Sequence, residues 1–263
     1  CYEKGRLLAV FPANVSENTV FSHQGLTYGG LLMSVRNTTV QVLGIFDSIF
    51  SWYRLRGIRE LIYKCIPWIY HLYPAEEDLY GLFRHEGRLV ARNISTAVDL
   101  SHPLGYNELR KRCIRRALQA SLRVEERSDF SGFWTILTDN LSVRHGVAPV
   151  HTLPEITRLH TCFPDRIRHF VATNPEGEIM AGCVVYETAF TVHVQYISTA
   201  ETGRSCGALD LLFDRLIRDI FPRKRFLEFG QSTEQGGRYL NEGLIGQKEG
   251  FGGRAVVYDT YAV

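Results

Sequence analysis

The stretch from Thr191 to Tyr261 restricts the possible folds more than any other part of this 263-residue chain. Its alternating, β-branched residues predict a strand over 191–198, followed by a glycine-rich turn over 199–208. A helix over 208–221 comes next, because its apolar residues recur at the spacing of one helical face: Leu209, Leu212, Phe213, Leu216, Ile217 and Ile220. A strand, a second helix that a capping box would open at Ser232, and a last strand complete a mixed α/β pattern.

The glycine turn is the first candidate binding site. A turn that opens a helix presents free backbone N–H groups at the positive end of the helix dipole, which suits an anion such as a pyrophosphate. The residues expected to bind there, mainly through their backbone, are Gly203, Arg204, Gly207 and Ala208. Gln195 and Tyr196 end the preceding strand, where side chains alternate, so at most one of the two is expected to face the site.

The composition is that of an ordinary globular protein and argues against several classes of function. A net charge of +2 gives no strong field towards nucleic acid or a membrane, and no apolar run is long enough to span a bilayer. The six cysteines form no CxxC pair, so we expect reduced thiols, no disulfide framework and no metal site. We therefore expect a cytoplasmic protein, with the inner face of the membrane as an alternative location.

The first half of the chain repeats the order of the second. Its predicted elements are strands over 6–11 and 20–23, a glycine turn over 24–30, a helix within 37–58, a strand over 59–71, a helix over 75–86 and a strand over 88–100. The shared order indicates a diverged tandem repeat. We therefore predict a first domain over 1–106, incomplete at its N-terminus, and a second over 129–263 that holds the donor site.

A basic helix is predicted between these domains, over 107–128. Its charged face carries Arg110, Lys111, Arg112, Arg115 and Arg116. Two interpretations stay open: a solvated helix that bridges the domains, or a helix that contacts RNA or another phosphate-bearing ligand.

Four short motifs resemble one known family. They lie at 22–30 (SHQGLTYGG), 149–153 (PVHTL), 229–234 (FGQSTE) and 240–252 (LNEGLIGQKEGFG). Together they resemble the FemAB-like branch of the GNAT acyltransferase superfamily, over most of the chain and most strongly over 145–261. The resemblance implies a mixed α/β protein with two tandem GNAT-like domains.

The same resemblance implies transfer of an acyl group to an amine. The first expectation is an acyltransferase that moves an acyl group, such as acetyl, from acyl-CoA to an amino group of a cell-envelope sugar or precursor. The alternative is a Fem-type enzyme, which takes an amino acid from aminoacyl-tRNA and adds it to a peptidoglycan-type acceptor. A noncatalytic binding protein is the third interpretation, because a fold alone does not imply activity.

Acyl transfer to an amine needs a base, donors for the oxyanion and an acid for the leaving group. By the resemblance, Lys248 lies near the transferring acyl group; otherwise it is a surface lysine at a helix end. Glu234 is a candidate base or amine anchor, or simply an acidic residue at a helix N-terminus. Tyr258 and Tyr239 are candidate acids, although packing is the commoner role of a tyrosine.

The remaining candidates would bind the two substrates. In GNAT domains the strand that corresponds to 191–198 pairs with the pantetheine arm of the donor, so the resemblance assigns Gln195 and Tyr196 to cofactor binding. The candidates for acceptor binding come from the motifs themselves: His23, Tyr28, His151 and Ser232. His151 stands before a predicted helix and therefore has a structural alternative as a cap.

Overall fold

The computed structural model describes the backbone of residues 1–263 and every side chain except that of His145. The chain divides into two compact units, each assembled from separate pieces. The first contains Cys1–Ser95, Gln231–Asn241 and Ala255–Val263, and the second contains Thr96–Gly230 and Glu242–Arg254. This division differs from the contiguous domains expected from the sequence, and it includes the basic helix in the second unit.

Helices and strands are mixed along the chain, which makes the fold class α/β as predicted. The α-helices are Thr39–Arg54, Glu77–Arg84, Glu108–Gln119, Ser131–His145, Leu153–Cys162, Glu201–Cys206, Ala208–Arg215 and Glu242–Glu249. Single turns of other helix types occur at Trp68–Tyr70, Leu216–Ile220 and Gln235–Gly237. Within the described residues, no helix has the length and apolar content that crossing a membrane would require.

The strands range in length from two residues to the twelve of Arg88–Asp99. They are Tyr2–Glu3, Arg6–Leu7, Ala9–Val10, Asn14–Ser16, Thr19–Phe21, Leu32–Met33, Glu60–Lys64, Arg88–Asp99, Arg123–Glu126, Ile167–Thr173, Ile179–Glu187, Thr191–Thr199, Phe226–Gln231, Thr233–Glu234, Tyr239–Leu240 and Arg254–Ala262.

A mixed sheet forms the centre of the second unit. Its strands lie in the order Phe226–Gln231, Thr191–Thr199, Ile179–Glu187, Ile167–Thr173 and Arg123–Glu126. The first pair is parallel and the other pairs are antiparallel. The strands of this sheet are nearly continuous apolar runs, which is typical of strands buried on both faces. Their buried apolar side chains belong to two separate clusters. Alternation and β-branched content in the sequence predict antiparallel strands over 167–173, 179–187 and 191–198, and the structure confirms these three strands.

The segment after the strand Thr191–Thr199 is not the open glycine turn expected from the sequence. Glu201–Cys206 forms a short helix, and Gly207 then takes a left-handed conformation with φ of 79°. The helix Ala208–Arg215 follows directly. The turn prediction is therefore wrong, and the chain instead makes two short helices joined at one glycine.

Close packing explains why this segment contains glycines. A Cβ atom on Gly203 would lie 2.0 Å from the carbonyl oxygen of Met180. A Cβ atom on Gly207 would lie 2.4 Å from the carbonyl oxygen of Cys113. The absence of a side chain therefore lets the segment approach its neighbours to a distance that no other residue allows.

Four neighbouring sheet strands characterise the first unit. They lie in the order Asn14–Ser16, Thr19–Phe21, Glu60–Lys64 and Arg254–Ala262, with the middle pair parallel and the outer pairs antiparallel. The helix Thr39–Arg54, opened by a capping box at Thr38, contributes its apolar face to the core of this unit. The helix predicted within 37–58 is confirmed.

The segment from 232 to 241 is a hairpin and not the start of a helix. Thr233–Glu234 pairs with Tyr239–Leu240, and between them Gly236 and Gly237 have φ of 66° and 93°. Two consecutive residues in the left-handed region cannot continue a right-handed helix. The capping box expected at Ser232 is therefore wrong, and the next helix is Glu242–Glu249.

Candidate active site

Two parallel strands stop pairing in the middle of the second unit. The pairing joins residues 191–193 to residues 226–228 and ends there, although both strands continue. On one of them Gly230 takes a left-handed conformation with φ of 77°. Where parallel strands separate inside a sheet, an extended ligand can take the place of the missing partner.

A β-bulge at Gln195 lies on the other strand, two residues beyond the last pair. The register against the antiparallel neighbour shifts between Val184 and Val185, which makes Gln195 the extra residue. Bulges break the alternation of side chains. The strict alternation assumed from the sequence therefore does not hold at Gln195, whose Oε1 lies 3.0 Å from Nε2 of His193.

A buried acid–base pair lies where the parallel pairing ends. Glu228 is fully buried, and one of its carboxylate oxygens contacts Nδ1 of His193. Its other oxygen accepts a hydrogen bond of 2.7 Å from the backbone N–H of Gly230. Burial lowers the pKa of His193, but the charge of Glu228 and the hydrogen bonds with Glu228 and Gln195 together raise it, so the net change is upward. Pairing of this kind makes a buried charge tolerable.

Lys248 belongs to the same buried cluster. Lys248 is only 5% exposed, and its Nζ donates a hydrogen bond of 2.7 Å to the carbonyl oxygen of Gly230. Burial lowers the pKa of Lys248 to about 8, although the nearby Glu228 carboxylate opposes this change. The interpretation as a surface lysine is therefore wrong.

The hydroxyl of Tyr196 contacts His151 beside this cluster. Nε2 of His193 lies 3.0 Å from Oε1 of Gln195, the residue that precedes Tyr196. The Tyr196 hydroxyl lies 2.5 Å from Nδ1 of His151 and accepts a 3.3 Å hydrogen bond from its backbone N–H. One candidate for cofactor binding, Tyr196, thus contacts one candidate for acceptor binding, His151.

A cavity of about 750 Å³ lies beside the end of the strand Thr191–Thr199. The predicted donor-site residues Gly203, Arg204 and Gly207 contribute to its lining. So do residues of the helices Glu108–Gln119, Ser131–His145 and Glu242–Glu249. This volume is in the range of ordinary small-molecule and cofactor sites.

Arginines give the cavity its chemical character. Arg110 is held by Asp210, with 2.6 Å between Nη1 and Oδ1, and Arg204 donates a 2.8 Å hydrogen bond to Asn140. Arg144 also lines the cavity and is exposed. Guanidinium groups are well suited to bind phosphate, because they offer several N–H donors in one plane.

The backbone of the predicted donor segment is used within the protein. The N–H of Gly203 donates to the carbonyl oxygen of Ala200, and the N–H of Gly207 donates to that of Gly203. Ala208 is fully buried. The expectation of free N–H groups is therefore wrong for Gly203 and Gly207, and Arg204 is the predicted donor-site residue of this segment whose polar side chain is exposed.

Tyr28, a candidate for acceptor binding, and Tyr258, a candidate acid, lie together in the first unit. The ring centroids of Tyr28 and Tyr258 are 5.8 Å apart, and the hydroxyl of Tyr258 lies 3.2 Å from that of Tyr70. Tyr258 is buried and lines a smaller cavity of about 300 Å³ with Lys64 and Asp259. The role of Tyr258 as an acid stays a prediction.

The other candidates of the first unit have different environments. His23 has a left-handed backbone, and its carbonyl oxygen lies 3.5 Å from Nζ of Lys64. Ser232 is buried, and its backbone N–H donates to the carbonyl oxygen of Ile94. Glu234 is exposed in the hairpin. The candidate base Glu234 and Lys248 thus belong to different units. Among the described side chains, no cluster of His, Cys, Asp or Glu is placed to hold a metal ion.

Similarity to known proteins is found in structure and not in sequence. No protein-family model matches the chain, and no curated protein matches its sequence. FemX is similar with a TM-score of 0.65 at 8% identity, over 90% of this chain and 82% of FemX. The C-terminal domain of a proposed lysylphosphatidylglycerol synthetase from Agrobacterium fabrum also gives 0.65, at 11% identity, over 95% of this chain and 78% of that domain. A tandem GNAT protein from the clavulanic acid biosynthesis pathway is similar with a TM-score of 0.52 at 12% identity, over 100% of this chain and 80% of that protein.

The chain has a GNAT-like fold. At these identities the similarity establishes the fold and not the FemAB-like branch within it.

Two residues of the cluster, His193 and Glu228, were not among the candidates from the sequence. A signal for both was present, because each is a polar residue inside an apolar strand. Glu228 interrupts the apolar run 226–229, and His193 is a polar residue of the alternating strand 191–197. A buried strand keeps such residues only when they find partners, so their presence alone pointed to a polar cluster.

Proposed function

We propose that this protein is an acyltransferase that moves an acyl group from acyl-CoA to a primary amine of a cell-envelope sugar or precursor. The observation that carries the proposal is the buried cluster of Lys248, His193 and Glu228, placed where two parallel strands separate. Structural similarity to FemX and to a tandem GNAT protein supports acyl transfer as the type of reaction.

Lys248 has the properties needed to handle the proton of an incoming amine. With a pKa of about 8, its neutral and charged forms are both populated near neutral pH. The neutral form can accept the proton of an acceptor ammonium, and the charged form can stabilise the oxyanion that forms at the acyl carbon. The carboxylate of Glu228 raises the pKa of His193, which favours the positively charged form of this imidazole in the same cluster.

The arginine-lined cavity of the second unit is the proposed donor site. Arg204 and Arg144 are exposed on its lining, where they can contact phosphate groups. The backbone N–H groups of Gly203 and Gly207 are already used, so the phosphates of the donor would be held by side chains. This arrangement departs from the backbone cradle that the glycine turn suggested.

Aminoacyl-tRNA is a second candidate donor. It is favoured by the absence of free N–H groups at Gly203 and Gly207, and by the similarity to FemX and to the proposed lysylphosphatidylglycerol synthetase. Residues Leu109, Arg110 and Cys113 of the basic helix also line the cavity. Both donors carry phosphates, so the same arginines would contact either of them.

Calorimetric titration with acetyl-CoA, free CoA and alanyl-tRNA tests the donor site. We expect one of these carriers to bind the wild-type protein, and Arg204→Glu to weaken that binding at least tenfold. Arg223→Glu is the matched control, because Arg223 is an exposed arginine of the same unit outside the cavity lining. Equal loss in both variants would indicate nonspecific charge attraction, and no binding of any carrier would favour the noncatalytic interpretation.

Transfer itself is tested with labelled donor and glucosamine as the acceptor amine. Proton transfer by a positioned group contributes about 10²–10⁴-fold, so Lys248→Ala should reduce the transfer rate by roughly that factor while binding of the donor is retained. A variant that binds donor and transfers at the wild-type rate would remove Lys248 from the mechanism.

A further inference from the structure

The first unit contains a cavity of about 270 Å³ with an acidic lining. Its charged side chains are the carboxylates of Glu77 and Asp78, and no lysine or arginine is among the described residues that line it. Apolar side chains form much of the remaining wall, including Leu31, Val42, Ile66, Leu72 and Pro74. The volume is at the small end of ligand sites, and the lining favours a small ligand that combines a positive charge with an alkyl body.

Asp78 is a buried carboxylate that has hydrogen bonds but no ion-pair partner. It is only 7% exposed. Its Oδ2 accepts a 2.9 Å hydrogen bond from the hydroxyl of Tyr63, and its Oδ1 accepts one of 2.8 Å from the backbone N–H of Leu79. Both donors are uncharged, and among the described residues no lysine or arginine forms an ion pair with Asp78. The start of the helix Glu77–Arg84 adds only the partial positive charge of its dipole.

This environment makes the charged form of Asp78 costly. Burial raises the pKa of Asp78, because a carboxylate loses its water and gains no cation in exchange. The two hydrogen bonds fix the orientation of the carboxylate, and each oxygen can accept more than one. A cation that enters the cavity would therefore meet an oriented carboxylate with acceptor capacity left.

His71 adds a second acceptor to the same cavity. Its Nε2 lies 3.0 Å from the carbonyl oxygen of Ile66, which can only accept, so Nε2 carries a proton. In the neutral ring Nδ1 is then an acceptor, and among the described residues this buried atom has no hydrogen-bond partner. A buried acceptor without a partner is unfavourable unless a donor reaches it. Asp78 and His71 thus both call for a ligand that donates hydrogen bonds.

We propose that this cavity binds a primary alkylammonium ion, whose N–H groups donate to the Asp78 carboxylate and to Nδ1 of His71. One such group offers three N–H donors and a positive charge, as the ammonium of a lysine side chain does. A hydroxyl has the donor without the charge, and a quaternary ammonium has the charge without a donor. The alkyl part would lie against the apolar wall, where Tyr70 and Tyr73 also contribute rings.

This site goes beyond the proposed function, because none of the residues that line it belongs to the buried cluster of the second unit. A metal ion is a poorer occupant than an amine. Among the described side chains, no group of three or more His, Cys, Asp or Glu residues is placed to hold one.

Calorimetric titration of the full chain with n-butylammonium chloride tests the site. We expect this ion to bind the wild-type protein, and n-butanol and trimethylbutylammonium to bind more weakly by about tenfold or more, since each lacks one of the two required features. Asp78→Asn removes the charge and keeps the size of the side chain, and it should weaken binding by a similar factor. His71→Phe keeps a ring without Nδ1 and should also weaken binding; it decides the test if Asp78→Asn does not fold.

Glu76→Gln is the matched control, because Glu76 is exposed and is not among the described residues that line the cavity. It should keep the affinity of the wild type. The proposal is overturned if n-butylammonium does not bind the wild type, if n-butanol or trimethylbutylammonium binds equally well, or if Glu76→Gln loses as much affinity as Asp78→Asn.

Titration of Lys248→Ala separates this site from the proposed active site. Lys248 belongs to the second unit, so n-butylammonium should bind this variant as it binds the wild type. Binding that is lost in Lys248→Ala and kept in Asp78→Asn would assign the amine to the buried cluster, which overturns this site and leaves the proposed function standing. Absent acyl transfer with intact n-butylammonium binding would count against the proposed function alone.

Discussion

Lys248 is a buried amine whose pKa differs between the folded and the unfolded chain. Its pKa is about 8 in the folded protein, against 10.5 for an ordinary lysine. Between these values the unfolded chain holds a proton that the folded protein has lost, so the free energy of unfolding rises with pH. The full difference corresponds to about 3 kcal/mol. In Lys248→Met we expect this rise to disappear.

Urea unfolding at about pH 7.5 and about pH 10 gives the change in the free energy of unfolding with pH for each protein. The contribution of Lys248 is the change in the wild type minus the change in Lys248→Met. Lys111→Met is the control, because Lys111 is half exposed and paired with Glu108 at 2.8 Å on the helix surface. That control should keep the pH dependence of the wild type. The same dependence in Lys248→Met would mean that Lys248 is not the group that titrates.

Single residues differ in how far the sequence can assign them. Lys248 could be proposed from the sequence because it lies in a recognisable motif. The structure adds that its amine is buried, which lowers its pKa. His193 and Glu228 are 35 residues apart, and they meet only because of the register between their strands. No local pattern reports that register, so the acid–base pair could not be predicted from the sequence.

At the scale of elements, the two glycines of the segment 201–207 should be intolerant of any side chain. An alanine at Gly203 would place its Cβ 2.0 Å from the Met180 carbonyl oxygen, and one at Gly207 would meet Cys113 in a backbone with positive φ. We expect each substitution to lower the free energy of unfolding by about 2–4 kcal/mol, because backbone must move to relieve the clash. Urea unfolding measures this loss.

Gly246→Ala is the matched control for this prediction. Gly246 lies inside the helix Glu242–Glu249, and its Cβ would have no other atom within 4 Å. Alanine is the better helix former, so this variant should gain up to about 1 kcal/mol. If Gly203→Ala and Gly246→Ala were equally stable, the close packing of the first segment would be refuted.

The same glycines show why some elements could be predicted and others could not. The strands Ile167–Thr173, Ile179–Glu187 and Thr191–Thr199 follow from local alternation and β-branched content, which the chain carries on its own. A glycine has two common uses, an open turn or a close approach to another element. The choice at Gly203 depends on Met180, a residue of another strand, and is therefore invisible to a local pattern.

At the scale of the whole molecule, the order of repeated elements suggested two contiguous domains, whereas both units are assembled from separated segments. The strand Arg254–Ala262 decides this difference, because it pairs with Glu60–Lys64 of the first unit. A repeat in the sequence specifies which elements occur and not which of them pair. The fold class could therefore be read from the chain, while the interleaved division could not.

Removing residues 255–263 tests this interleaved division. They supply the partner of Glu60–Lys64: the N–H of Leu61 donates to Val263 at 2.9 Å, and the N–H of Val263 donates back at 3.0 Å. Val263 also packs against the core of the first unit. In the shortened chain we expect amides of Glu60–Lys64 to lose protection from hydrogen exchange, while those of Ile179–Glu187 in the second unit keep it. Equal loss of amide protection in both strands would show that the chain unfolds as a single cooperative unit. Unchanged protection in Glu60–Lys64 would show that pairing with residues 255–263 is dispensable. Either result would contradict the division into two units.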